Sequence, residues 1–114
     1  MSLRLPATRR AYKAALAAGK QFTLDELTTV ADYAFWRIVV NEFPYDLVAQ
    51  KHHVLTPKRV VAGRTQLTVA EVQELQSILA DVKTDYDAML ENFDRHSSVP
   101  SHYHIHLLEY YQDR

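Results

Sequence analysis

The chain has 114 residues, 47% hydrophobic and 24% charged, the size and balance of one folded domain and not of a disordered segment. Lys and Arg number 13 against 14 Asp and Glu, for a net charge of -1, without the basic excess of a protein that coats nucleic acid. It has no cysteine and two glycines, which excludes disulfide scaffolds, thiolate metal sites, a cysteine nucleophile and glycine-rich phosphate loops.

Arg4, Arg9, Arg10 and Lys13 open the chain with the charge of a secretory leader. The following Ala14, Ala15, Leu16, Ala17, Ala18, Gly19 and Lys20 are too few and too weakly apolar to complete one. No run approaches the ~20 apolar residues of a membrane span. A cytoplasmic location is expected, with no membrane partner and no extended nucleic acid.

Ala7 to Ala18 consists of good helix formers ahead of Gly19, which predicts a helix with a glycine stop. Thr23 and Glu26 have capping-box spacing for a second helix. Phe35 to Phe43 is β-branched and aromatic as far as Pro44, and predicts a strand. Pro44-Tyr45-Asp46 starts a connection to a second strand at about Lys51 to Thr56, stopped by Pro57. Thr68-Val-Ala-Glu71 is another capping box. Behind it Val72, Leu75, Leu79 and Val82 recur at helical spacing, to about Lys83. Tyr86, Ala88 and Leu90 alternate with polar neighbours and read as a strand, because a helix of ~25 residues would be long for so small a domain. Asp94 to Ser101 is a polar loop, and His102 to Tyr110 the last strand. The strand connections are too short for crossover helices. The expected fold is therefore α+β, an antiparallel sheet with packed helices. Residues 1–34 are expected as an N-terminal helical extension of two helices covering a sheet edge or face, and 35–114 as the main domain.

Five of the six histidines fall in two clusters, His52–His53 and His102, His104, His106. Residues two apart share one face of a strand. The three clustered rings then point one way, and Tyr103, Ile105 and Leu107 point into the core. A row of three buried polar rings needs partners, which makes a purely structural role the weaker reading. Imidazole also suits zinc, copper and nickel. Same-face neighbours on one strand lie ~6.6–6.8 Å apart, however, and no acidic ligand adjoins the run, so no metal is assigned. Phosphate chemistry is the third reading. A neutral imidazole can attack phosphorus while its neighbours donate to the oxygens that gain charge. His53 should face away from His52 in a structural role, and His96 should be exposed in the loop.

The segment His102-Tyr-His104-Ile-His106-Leu-Leu108 resembles the alternating signature of the histidine triad superfamily, and the likeness extends over roughly Phe35 to Tyr110. Val40-Asn41-Glu42-Phe43-Pro44 is similar to the family's strand end that holds the ribose. His52-His53-Val54-Leu55-Thr56-Pro57-Lys58 is similar to the block with its upstream histidine. Leu67-Thr-Val-Ala-Glu71 matches its helix start, and Asn92 the strand end before the triad. The resemblance implies a small stand-alone nucleotidyl hydrolase or transferase that acts on a purine nucleotide without a cofactor. His104 would attack the α-phosphorus and carry a covalent nucleotidyl intermediate. His102, His106 and His52 would orient or stabilise the phosphate and the leaving group. Asn41 would hold the ribose. Asn92 would donate to the phosphate, with Ser98 or Ser101 as further donors. Phe35 and Ile38 would wall the base pocket. A homodimer with Tyr110-Tyr111 at its contact fits the aromatic enrichment of interfaces. The loop before the triad lacks the family's glycines, which motivates two alternatives, a nucleotide-binding module without turnover and a metal-binding histidine cluster.

Overall fold

The computed structural model describes residues 2–19, 24, 27–93 and 102–112. Helix α1 spans Pro6–Ala17 with proline in its first turn, where its missing N–H and fixed φ are tolerated. Gly19 follows at φ +82°, the left-handed conformation that ends a helix cheaply only at glycine. Thr23 and Glu26 lie outside the described residues. Where the second N-terminal helix was expected to run, Thr29–Asp32 form strand β1 instead. It pairs antiparallel with β2 (Trp36–Val40). Hydrogen bonding along an otherwise open sheet edge outweighs the local helical signal, so the sheet begins ahead of residue 35.

Strand β3 (Ala49–Pro57) pairs with β2 on one side and with β5 (Ile105–Tyr110) on the other. Short β4 (Ala88–Leu90) closes the far edge. The result is a five-stranded antiparallel sheet in the order β1-β2-β3-β5-β4. Helix α2 (Val69–Val82) lies between β3 and β4 in the chain, after a single 3-10 turn at Arg64–Gln66. Both halves of its capping box form. The Glu71 N–H donates to Thr68 Oγ1 at 3.1 Å, and the Thr68 N–H to Glu71 Oε1 at 2.8 Å.

The register decides what each face carries. Ile38 lies opposite Leu55 and Leu55 opposite Ile105. These residues, with Trp36, Tyr103 and Leu107, pack against Leu75, Ile78 and Val82 of α2. Trp36 Nε1 donates to the Glu71 carbonyl at 2.8 Å and ties β2 to the helix. Arg59 holds the buried Glu71 carboxylate at 2.8 Å. On the other face Val54 lies opposite His106, and His52 opposite Leu108. Leu24 and Leu27 cover Val39 and Val54 there, while Tyr45, Ala49 and Leu108 pack with Leu3 and Leu90. No helix among the described residues is long and apolar enough to cross a membrane.

Candidate active site

Histidines from β3 and from the entry to β5 meet on the face away from α2. All four are nearly sealed: His52, His102, His104 and His106 are 3%, 5%, 7% and 1% exposed. Neutral imidazole has one donor and one acceptor nitrogen, so fixed partners settle which is which. The peptide N–H of Tyr45 donates to His52 Nδ1 at 2.9 Å. The His52 proton therefore sits on Nε2, and is donated to His106 Nδ1 at 2.7 Å. His106 in turn carries its proton on Nε2, 3.5 Å from Tyr45 Oη and 3.4 Å from the Asn92 amide nitrogen. Asn92 also donates to Tyr45 Oη at 2.9 Å.

His104 has the opposite tautomer. Its Nδ1–H donates to the His102 carbonyl at 2.9 Å, which leaves Nε2 with a lone pair and no hydrogen-bond partner among the described residues. The His102 ring turns to the end of β3, where its Nε2–H reaches the Pro57 carbonyl and Thr56 Oγ1, each at 3.0 Å. Thr56 passes its own proton to the Tyr103 carbonyl at 3.0 Å. These side-chain bonds, and the Tyr103 N–H held by the Val61 carbonyl at 2.7 Å, take the chain out of the ladder. The strand thus begins at Ile105 and not at the expected His102.

The electrostatics keep His52, His104 and His106 neutral. Burial pushes the His52 pKa down to about 3, and the nearby Arg4 guanidinium adds to the effect. His106 is lowered for the same first reason, with His52, His104 and Arg4 beside it. Burial also lowers His104, against the raising effect of its bond to the His102 carbonyl. Tyr45 is raised by burial. A buried charge on any of these rings would need a counter-charge. Among the described residues, no side-chain nitrogen or oxygen that is itself fully buried lacks a hydrogen-bond partner.

The structure brings together His52, His102, His104, His106 and Asn92. Asn41 joins them at the edge. Its amide nitrogen is 3.4 Å from His52 Nε2, and its oxygen accepts the Phe43 N–H at 2.8 Å. Ile38 does not join them. It is 2% exposed in the apolar layer under α2, because the pleat that turns Val39 toward the histidine side turns Ile38 away. Phe35 does not join them either. It is exposed, and its N–H donates to Glu74 on the α2 side. Ser98 and Ser101, like His96, lie outside the described residues. His53 does face the opposite way, and its Nδ1 meets Tyr86 Oη at 2.6 Å. No three His, Cys, Asp or Glu side chains among the described residues are arranged to hold a metal ion. His52 spends both ring nitrogens on the Tyr45 N–H and His106, and His102 and His104 each spend one on a backbone carbonyl.

Three participants were not apparent as such in the sequence. Tyr45 packs its ring on His52 and His106, with centroids 4.5 Å and 4.9 Å away. Thr56 anchors His102. Arg4 lays its guanidinium over the Tyr45 ring at 5.0 Å.

A scan against protein-family models finds no match to this chain. No curated protein matches it. Among solved structures, a histidine triad protein from Clostridium difficile matches 90% of this chain and 92% of its own, with a TM-score of 0.58 at 17% identity. The chain therefore has the histidine triad-like fold, an α+β sheet with its histidines on the face opposite the long helix.

Proposed function

We propose that this protein is a nucleotidyl hydrolase or transferase that works on the α-phosphate of a purine nucleotide through His104. One observation supports this most: the His102 carbonyl fixes the His104 proton on Nδ1 and leaves Nε2 as an in-place nucleophile. Its lowered pKa keeps it unprotonated, and so nucleophilic, at neutral pH. Nε2 forms a bond to phosphorus as the bond to the leaving group breaks. The leaving group departs with that electron pair and is protonated. Water or another acceptor then attacks the nucleotidyl-His104, gives up its proton and restores the ring. In this reading the His106 Nε2–H and the Asn92 amide donate to the phosphate, His52 and His102 hold the rings and the strand entry beside it, and Asn41 takes the ribose.

Rapid-quench mass spectrometry tests the step. The protein is mixed separately with an adenosine phosphoramidate and a diadenosine polyphosphate, alongside His104→Asn. An AMP mass added to the native chain and missing from the variant is the expected result. Neither adduct nor AMP release, with AMP still bound, would overturn turnover and leave a nucleotide-binding module.

A further inference from the structure

The N-terminal segment carries charge beyond Arg4, the one cation of it that reaches the histidine cluster. The first 19 residues hold four of the 13 Lys and Arg and none of the 14 Asp and Glu. Helix α1 docks through Thr8 and Tyr12, one turn apart. The Thr8 hydroxyl bonds to the Asp46 carboxylate, which also takes the Leu5 N–H at 2.7 Å. Tyr12 meets Phe43 edge-on at 5.6 Å. Arg9, Arg10 and Lys13 are left exposed on the outer side of the helix, without an ion pair among the described residues. With Arg4 and Ser2 they line a groove of about 470 Å³ that has no acidic side chain in its wall.

This arrangement works against the helix that carries it. Arg9 and Lys13 are like charges four residues apart, which repel. Arg9 and Arg10 sit toward the helix start, where the dipole disfavours cations, and no acid in the first turn offsets them. A bound anion would reverse each of these effects. We propose that the groove is an anion site, separate from the histidine cluster, that takes an oligophosphate chain. Four cations around a small groove match a compact ligand of several negative charges. An extended nucleic acid fits less well, because the remaining nine Lys and Arg are outnumbered by all 14 acids. Arg4 links the two sites. Its Nε is held by the Phe43 carbonyl at 2.8 Å, and its guanidinium lies 4.1 Å from the Tyr12 ring centroid and 5.0 Å from that of Tyr45. The oligophosphate has two sources, a free chain or the distal end of a nucleotide whose α-phosphate lies at His104.

The test is calorimetric titration of the full chain with inorganic tripolyphosphate at low salt, which needs no nucleoside and no turnover. The comparison is the triple variant Arg9→Ala, Arg10→Ala, Lys13→Ala. Alanine preserves helix propensity, and circular dichroism checks the fold. One-to-one binding is expected, weakened about tenfold or more in the variant and by added salt. Unchanged AMP binding in the variant would show the two sites to be separate. A nucleoside tetraphosphate that outbinds AMP only in the native chain identifies the distal end of a nucleotide as the source. Tripolyphosphate that binds equally well with AMP present, and without that advantage, identifies the free chain. No binding at low salt, equal binding by the variant, or attraction to anionic vesicles without tripolyphosphate binding would each overturn the proposal.

Discussion

The two faces of the sheet are built from the same strands by opposite means. Toward α2, Trp36, Ile38, Leu55, Ile105 and Leu107 bury apolar surface with at most 2% exposure each. Shape and dehydration hold that face, at roughly 1.5–3 kcal/mol for each large side chain. Toward the other side, His52 and His106 are equally buried but gain little from dehydration. They persist because each ring nitrogen has an assigned partner. One face therefore tolerates rearrangement among apolar shapes. The other has a single pattern of protons, and that pattern is what leaves His104 Nε2 free.

Perturbing each face in turn sharpens this contrast. Trp36→Ala should have the largest effect, about 3–5 kcal/mol of stability, since it also removes the bond to the Glu71 carbonyl. Chemical denaturation measures it, and a loss under about 1 kcal/mol would break the view that this face carries the fold. Acid should come next. In the unfolded chain His52 and His106 bind protons below their ordinary value of 6.5, whereas in the folded chain His52 resists until about 3 and His106 is also depressed. Protons thus favour the unfolded state as pH falls below 6.5, and stability should drop toward about 1.4 kcal/mol per pH unit for each ring. Little change is expected from these groups above neutrality. Melting temperatures across this range would show it, and a flat acid limb would refute it. His106→Phe should cost about 1–3 kcal/mol, because the His52 Nε2–H loses its buried acceptor. The same variant should flatten the acid limb. Thr68→Ala, at the start of α2 and remote from the histidines, should cost about 1 kcal/mol and leave nucleotide binding intact in a direct titration.

The parts legible in sequence were those fixed by local rules. The capping box at Thr68 and Glu71, the strand character after Phe35 and the alternation through His106 each follow from neighbours a few residues apart. The histidine and asparagine positions were proposed from the resemblance by their order along the chain, and the structure sets those side chains near one another. What failed depended on distant pairing. The four residues of β1 gain their identity from hydrogen bonding to β2, against a helical signal just upstream. Ile38 was placed at the site by the resemblance, and alternation could not correct it, because it divides a strand into two faces without saying which is which. Only its register against Leu55, and that of Leu55 against Ile105, places it under α2. Tyr45 follows Pro44 in an apparent turn, and nothing nearby marks it as the residue whose N–H sets the tautomer of His52.

The most direct test of the account is the protonation pattern itself, read from long-range proton–nitrogen NMR correlations of the histidine side chains near neutral pH. The structure predicts a protonated Nδ1 and a bare Nε2 at His104, with the reverse at His52 and His106. A proton on His104 Nε2, or tautomers averaging across the cluster, would contradict the assignment of His104 as the nucleophile.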